Sequence, residues 1–220
     1  MNWLLNNQPT VWAALWSHLV LSVPAIAASF LVSVPVGWAA QRYRWLRFPV
    51  VTGSSLMYAI PSLPLLIVLP LVIGTTVRSS INVVVALTLY GIALMVRSVA
   101  DSLAAVPRDA ITSATAMGFS PLRRFLAVEL PLAGPGLLAG LRVVAVSTVA
   151  LVTVSAVLGV HSLGMLFTDG FQRGIIAEVV TGIVGTVVLA VVIDRSLVAA
   201  GWLLMPWLRA RPRPVNEGAA

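Results

Sequence analysis

Apolar residues in this chain do not alternate with polar ones at the spacing of a surface helix or strand. They run together in long blocks with at most an isolated charged residue. A helix needs roughly 20 apolar residues to cross the ~30 Å hydrocarbon core of a bilayer. On that criterion the pattern predicts about five spans: near Ser17 to Ala40, Val50 to Ile73, Ile81 to Val99, Leu137 to Leu158, and one beginning near Val179 and continuing past Ala190. The last region is too long for one upright span, since Val179 to Leu208 would measure about 45 Å at 1.5 Å per residue. Either the helix tilts steeply or, as the charges favour, it leaves the bilayer near Asp194 and Arg195. The segment around Trp202 and Trp207 then lies at the interface, where Trp is favoured. That keeps the charged pair out of the bilayer centre, with Asp194 and Arg195 expected to pair with each other. The predicted fold class is all-α: a polytopic transmembrane helical bundle forming a single domain over residues 1–220, with no soluble domain and no internal repeat.

The charges give that bundle a direction. Apolar residues are 59% of the 220 positions and charged ones only 10%, too few to cover a soluble domain of this length. The net charge of +7 comes from 14 arginines, with no lysine, against seven acids. Arg42, Arg44 and Arg47 separate the first two spans; Arg97, Arg108, Arg123, Arg124 and Arg142 lie between or near the ends of the third and fourth; Arg209, Arg211 and Arg213 follow the fifth. With five spans these sets share one side, leaving Arg78 and Arg173 on the other, where Asp169 and Glu178 accompany Arg173. The positive-inside rule then predicts an outside N-terminus and a cytoplasmic C-terminus in the cell (plasma or inner) membrane, crossed several times.

The same distribution argues against nucleic acid as a partner, because the arginines flank apolar runs instead of clustering on a soluble surface. No basic segment precedes the first apolar stretch, so it does not read as a cleaved leader. Without cysteine there is no thiol catalysis or thiolate metal site. No catalytic constellation and no metal-ligand set is legible, His18 and His161 being too isolated to act together. A Gly-rich phosphate loop ending in Lys-Ser or Lys-Thr is also missing, so ATP chemistry would have to come from another chain.

The connection between the third and fourth spans, about residues 101–131, is much longer than a helix–helix turn requires, and long structured loops are usually functional. Pro107 suits a helix start, followed by Arg108, Asp109 and Ala110. Gly118 offers the left-handed residue that ends a helix at low steric cost. Ser120-Pro121 starts a second helix, with the hydroxyl as N-cap, which is expected to run through Phe125 and Val128 to Leu130-Pro131. The loop thus reads as a rigid protrusion on the cytoplasmic face.

From Ala114 to Pro131 the sequence resembles the EAA loop of binding-protein-dependent ABC importer permeases. That pattern is Glu-Ala-Ala, three residues, Gly, nine residues, an aliphatic, one residue, then Leu-Pro. Gly118, Val128, Leu130 and Pro131 fall at the required spacing and Ala114 matches the second alanine, while Thr112 and Ser113 replace the leading Glu-Ala. Ala59-Ile-Pro-Ser-Leu63, Val128-Glu-Leu-Pro-Leu-Ala133 with Pro135, and Ala139-Gly-Leu-Arg142 are similar to the osmoprotectant branch, which imports glycine betaine, choline, carnitine and related quaternary amines. A Gly-Gly-Leu-Gly often found after the fourth span appears here as His161-Ser-Leu-Gly164.

The resemblance implies a transport subunit with no cofactor of its own. Two permeases, identical or related, would line one pathway through the lipid. A dimer of cytoplasmic ATPase subunits would bind ATP and magnesium, and an extracytoplasmic substrate-binding protein would deliver the solute. The loop would be the coupling helix, with Ala114, Met117, Gly118 and Phe119 docking, Arg123 and Arg124 as charge partners, and Leu130 and Pro131 closing the motif. Arg123 and Arg124 equally satisfy the positive-inside rule alone. In the second span Pro61, Pro64 and Pro70 lie close to Tyr58 and Ser62, and broken helices are tolerated where they line a cavity. Tyr58, Pro61, Ser62 and Pro64 therefore read either as a pathway-lining gate or as a kink without substrate contact. In the fourth span Ser147 and Thr148 read either as pathway lining or as ordinary helix packing, and Gly136-x-x-x-Gly140 is a close-packing signal. Permeases for another small solute such as methionine share the architecture. A self-contained carrier or channel would show an internal repeat or mid-membrane charges for ion coupling.

Overall fold

The computed structural model describes residues Asn2–Arg209, and among these only helices and turns occur. A short α1 (Asn2–Asn6) leads into α2 (Gln8–Arg42), then α3 (Arg44–Ala59), α4 (Ser62–Ile73), α5 (Ser80–Ala104), α6 (Arg108–Ala116) and α7 (Pro121–Arg124). A single π-helical turn, Phe125–Glu129, joins α7 to α8 (Leu130–Ser155), and α9 (Gly164–Arg173) and α10 (Ile176–Leu204) follow. Four helical stretches are each long and apolar enough to cross a membrane: α2, α5, the run Pro121–Leu158, and α10.

The expected second span is not one helix. α3 and α4 meet at 109° across Ile60 and Pro61, and neither half is long enough to cross alone. Pro61 takes an extended ψ of 140° as the N-cap of α4, and proline disfavours helical geometry in the residue before it, here Ile60.

The relative direction of the packed helices fixes the number of crossings. Ser29 of α2 donates to the Thr88 carbonyl of α5, and Gly37, two turns later in α2, lies against Val99, later in α5. Contacts that advance together in both chains mean that α2 and α5 run parallel. The chain must therefore cross back between them, and α3–α4 make that crossing as a broken span. α8 runs antiparallel to α5, with Gly136 against Ser102 and Gly140 against Ser98. α10 in turn runs antiparallel to α8, with Gly201 against Leu138 and Asp194 against Arg142. The total is five crossings.

This arrangement puts Arg42, Arg44, Arg47, the whole 105–129 connection and the end of α10 at one end of the bundle. Arg78 and Arg173 lie at the other, where Arg173 donates to Asp169 at 2.9 Å and approaches Glu178 at 3.8 Å. That hydrogen bond raises the Arg173 pKa above its ordinary value. Arg211 and Arg213 lie outside the described residues.

α10 corrects another expectation. It continues without a break through Asp194 and Arg195 to Leu204, and Asp194 does not pair with Arg195. Side chains adjacent in sequence diverge on a helix. Asp194 instead accepts two hydrogen bonds from Arg142 of α8, from Nε at 2.6 Å and Nη2 at 2.9 Å. A bidentate guanidinium–carboxylate pair satisfies both charges sideways, so the helix need not leave the bilayer to hydrate them.

Small residues set the helix spacing. A Cβ at Gly136, Gly140 or Gly91 would overlap the side chains of Ser102, Ser98 or Ser29, so α5 approaches both α2 and α8 at glycine. Around these seams pack Leu21, Ala25, Leu87 and Val152 in one layer and Met95, Val99, Phe125, Leu137 and Val144 in another.

Candidate functional site

The loop at the arginine-rich end is a helix–turn–helix protrusion. α6 closes in a paired-carbonyl cap: the Phe119 N–H donates to the Ala114 carbonyl at 3.1 Å and the Gly118 N–H to Thr115 at 3.0 Å. Closing that pattern requires a left-handed residue, and Gly118 supplies φ +80°. Nothing lies within 4 Å of where its Cβ would be, so the backbone angle and not crowding demands glycine. Ser120 then caps α7, its hydroxyl accepting from the Arg123 N–H.

The docking residues read from sequence divide in two. Met117, at 68% exposure, with Gly118, Phe119 and Arg123, forms the outward tip, and the Arg123 guanidinium sits 4.5 Å over the Phe119 ring. Ala114 is buried and supports the tip from behind, so it offers no surface for docking. Arg124 turns inward, to Glu129 and Thr115, whereas Arg123 stays exposed at the tip.

The second helix does not stop at Leu130-Pro131. Proline there has no N–H and its ring would collide with the carbonyl four residues back. The chain widens into the π turn instead, with the Leu130 N–H donating to the Phe125 carbonyl, and one helical rod runs from Pro121 into the fourth span. Phe125 is buried, its ring centroid 5.0 Å from Trp38 of α2. Leu130 packs at the edge of the same cluster.

The broken span depends on α5. Pro70 cannot donate to the Leu66 carbonyl, and the buried Asn82 side chain does so instead at 2.9 Å. At the break itself, the Tyr90 hydroxyl donates to the Ile60 carbonyl, and Tyr58 meets the Tyr90 ring edge-on with centroids 6.1 Å apart. Two polar side chains of α5 thus satisfy carbonyls that lie four residues before Pro64 and Pro70 and so have no helical N–H to accept from. Tyr58, Pro61 and Pro64 stay exposed beside the break and Ser62 is half-buried, whereas Thr148 of α8 is buried and Ser147 half-buried. Within the single chain Thr148 is therefore covered, while Tyr58, Pro61 and Pro64 are open.

Sequence reasoning missed Tyr90, Asn82, Glu129 and the Arg142–Asp194 pair. A signal existed for Asn82: each proline inside a span strands a carbonyl, which calls for a polar donor on a neighbouring span. His161-Ser-Leu-Gly164 also becomes intelligible. A Cβ on Gly164 would lie 2.7 Å from the Thr153 Cα and 2.8 Å from its carbonyl carbon, while His161 is exposed, its Nδ1 3.2 Å from the Met165 Sδ.

Residues 29–201 match the family described as the binding-protein-dependent transport system inner membrane component. The chain belongs to this family. Its curated relatives include the osmoprotectant import permease protein OsmW of Salmonella typhimurium, 28% identical over 93% of each chain. The glycine betaine/carnitine/choline transport system permease protein OpuCD of Bacillus subtilis is 27% identical over 96% of this chain and 88% of its own. The choline transport system permease protein OpuBD of the same organism is 27% identical, over 99% and 92%. Among solved structures, an inward-facing MetNI methionine ABC transporter chain superposes with a TM-score of 0.71 at 22% identity, over 91% of this chain and 98% of that one. An amino acid ABC transporter chain gives 0.70 at 13% identity, over 92% and 96%. At such identity these structures establish the shared fold alone. The protein is thus an ABC importer permease subunit of the inner membrane.

Proposed function

We propose that this permease moves small osmoprotectants such as glycine betaine, choline or carnitine inward, driven by ATP hydrolysed on separate partner subunits. The substrate class rests on the relatives that span nearly the whole chain, which carry those solutes in their names. The coupling role rests on one observation above all: the rigid, outward tip at Met117–Phe119, carried at the arginine-rich end on a helix continuous with the fourth span. By the positive-inside rule that end is cytoplasmic, which gives an outside N-terminus and a cytoplasmic C-terminus.

In this reading a dimer of ATPase subunits, each binding ATP and magnesium, receives the tips of two permeases, and an extracytoplasmic binding protein supplies the solute. Tyr58, Pro61, Ser62 and Pro64 flank the pathway between the two permeases. Ser147 and Thr148 face it only if the bundle opens.

The test is to purify the tagged protein from its native membranes in mild detergent, comparing wild type with Gly118→Asp. The expected result is an ATPase that accompanies the wild type and is lost or weakened in the variant. Vesicles holding the intact complex should take up labelled betaine, choline or carnitine in competition with one another and ignore methionine. Uptake of methionine alone would replace the substrate assignment, and a wild type recovered without an ATPase would refute the coupling role.

A further inference from the structure

Arg124 stands at the joint between the protruding loop and the rod of the fourth span. Its Nε donates to Glu129 Oε1 at 2.6 Å, and its Nη1 donates to Thr115 Oγ1 at 2.9 Å. One guanidinium therefore ties the last turn of α6 to the foot of α8. Thr115 is itself fixed, its hydroxyl donating to the Ile111 carbonyl at 2.8 Å. Glu129 is only 8% exposed, so its carboxylate depends on this arginine for charge compensation.

The pair also depends on the π turn. In a regular α-helix residues five apart point about 140° away from each other at 3.6 residues per turn. The widened turn Phe125–Glu129 brings residues 124 and 129 toward one face. The irregularity forced by Pro131 thus produces the geometry that the ion pair uses, and π turns recur at functional positions.

Without this bridge the connection has a weak point. Between α6 and α7 the chain passes through Gly118, whose Cβ position is empty, and Ser120, whose ψ of 157° is extended. α6 would then be held to the foot of α8 by the packing of Ile111 around Phe125 and by the turn itself, with no polar tie across the joint. With the bridge in place, a push on the tip reaches α8 through Glu129 and reaches α2 through Phe125 and Trp38.

We propose that the Thr115–Arg124–Glu129 bridge is a strut that makes tip and fourth span move as one body. Arg124 and Glu129 are then positioning residues for energy coupling, not contacts to the motor subunit. The inference rests on the coupling role proposed above.

The experiment uses the complex with its co-purified ATPase in liposomes, for wild type, Glu129→Gln, Thr115→Val, Arg124→Gln and the Arg124→Gln/Glu129→Gln double variant. ATPase retained per permease, hydrolysis rate and solute taken up per ATP hydrolysed are measured separately. Glu129→Gln should keep the ATPase and hydrolyse ATP within about twofold of wild type, while uptake per ATP falls about tenfold, and the double variant should fall no further than the worse single one. Thr115→Val leaves the ion pair intact and guards against misfolding of the charge variants; it should lose about threefold in uptake per ATP with assembly unchanged. Unchanged uptake per ATP in Glu129→Gln or Thr115→Val, or loss of the ATPase from either, would overturn the strut. Additive losses in the double variant would do the same. A wild type that retains no ATPase would instead remove the coupling role itself, and that arm is read independently of the variants.

Discussion

Two residues of α5 carry the polar demands of the broken span. Asn82 answers the Leu66 carbonyl that Pro70 leaves without a donor, and Tyr90 answers the Ile60 carbonyl at the break. At the fully buried Asn82 no water replaces the lost donor, and at the break beside the proposed pathway the Ile60 carbonyl gains water at best, so each substitution costs a protein hydrogen bond. Asn82→Leu and Tyr90→Phe should each destabilise the chain by about 1–3 kcal/mol, measured as a lower melting temperature in detergent. Tyr90→Phe keeps the ring against Tyr58, so its loss isolates the hydroxyl. The residues around Gly118 belong to the opposite case: Ala114, Gly118 and Ser120 were legible because capping chemistry is local in sequence. Tyr90 and Asn82 were not, because their partners lie 30 and 16 positions away.

At the scale of elements, glycine seams decide how closely helices approach. Gly140 rests on Ser98, and Gly136 on Ser102, one turn apart on both α8 and α5. Gly140→Ile should cost about 1–3 kcal/mol by overpacking. Ser98→Gly in the same chain should recover part of that loss, because it clears the overlapping side chain; the two melting temperatures, alone and combined, check this. The Arg142–Asp194 pair joins α8 to α10 by charge instead of by close approach. Removing one partner leaves the other uncompensated, whereas removing both leaves nothing to compensate. Arg142→Leu and Asp194→Leu should each lower the melting temperature and the folded yield, and the double variant should regain most of both.

At the scale of the whole molecule, the claim at stake is five crossings with a broken second one. The protein has no cysteine, so single cysteines report sidedness without background. Trp45→Cys and Leu122→Cys, both at the arginine-rich end and exposed, should react with an impermeant maleimide only from the cytoplasmic side. Thr76→Cys and Gln172→Cys should react only from the outside. A re-entrant α3–α4 that returned to its own side would put Thr76 with Trp45, and labelling of both from one face would refute the parallel packing of α2 and α5.

Much of this was settled by the sequence alone. Apolar run length and arginine distribution are one-dimensional quantities, and they determined the membrane class, the number of crossings and which segments share an end. The protruding loop was equally readable, since glycine and the Ser-Pro start act within a few residues of themselves. Only the tertiary structure decided where charges and stranded carbonyls find partners. Asp194 sits beside Arg195 in the chain but bonds Arg142, because helical geometry turns neighbours apart and packing brings a distant turn close. Pro131 reads as a helix stop, yet core contacts around Phe125 hold the helix together and the backbone absorbs the proline as a π turn. The inward turn of Arg124 follows from that same widening, a change in register that no spacing of residue types encodes.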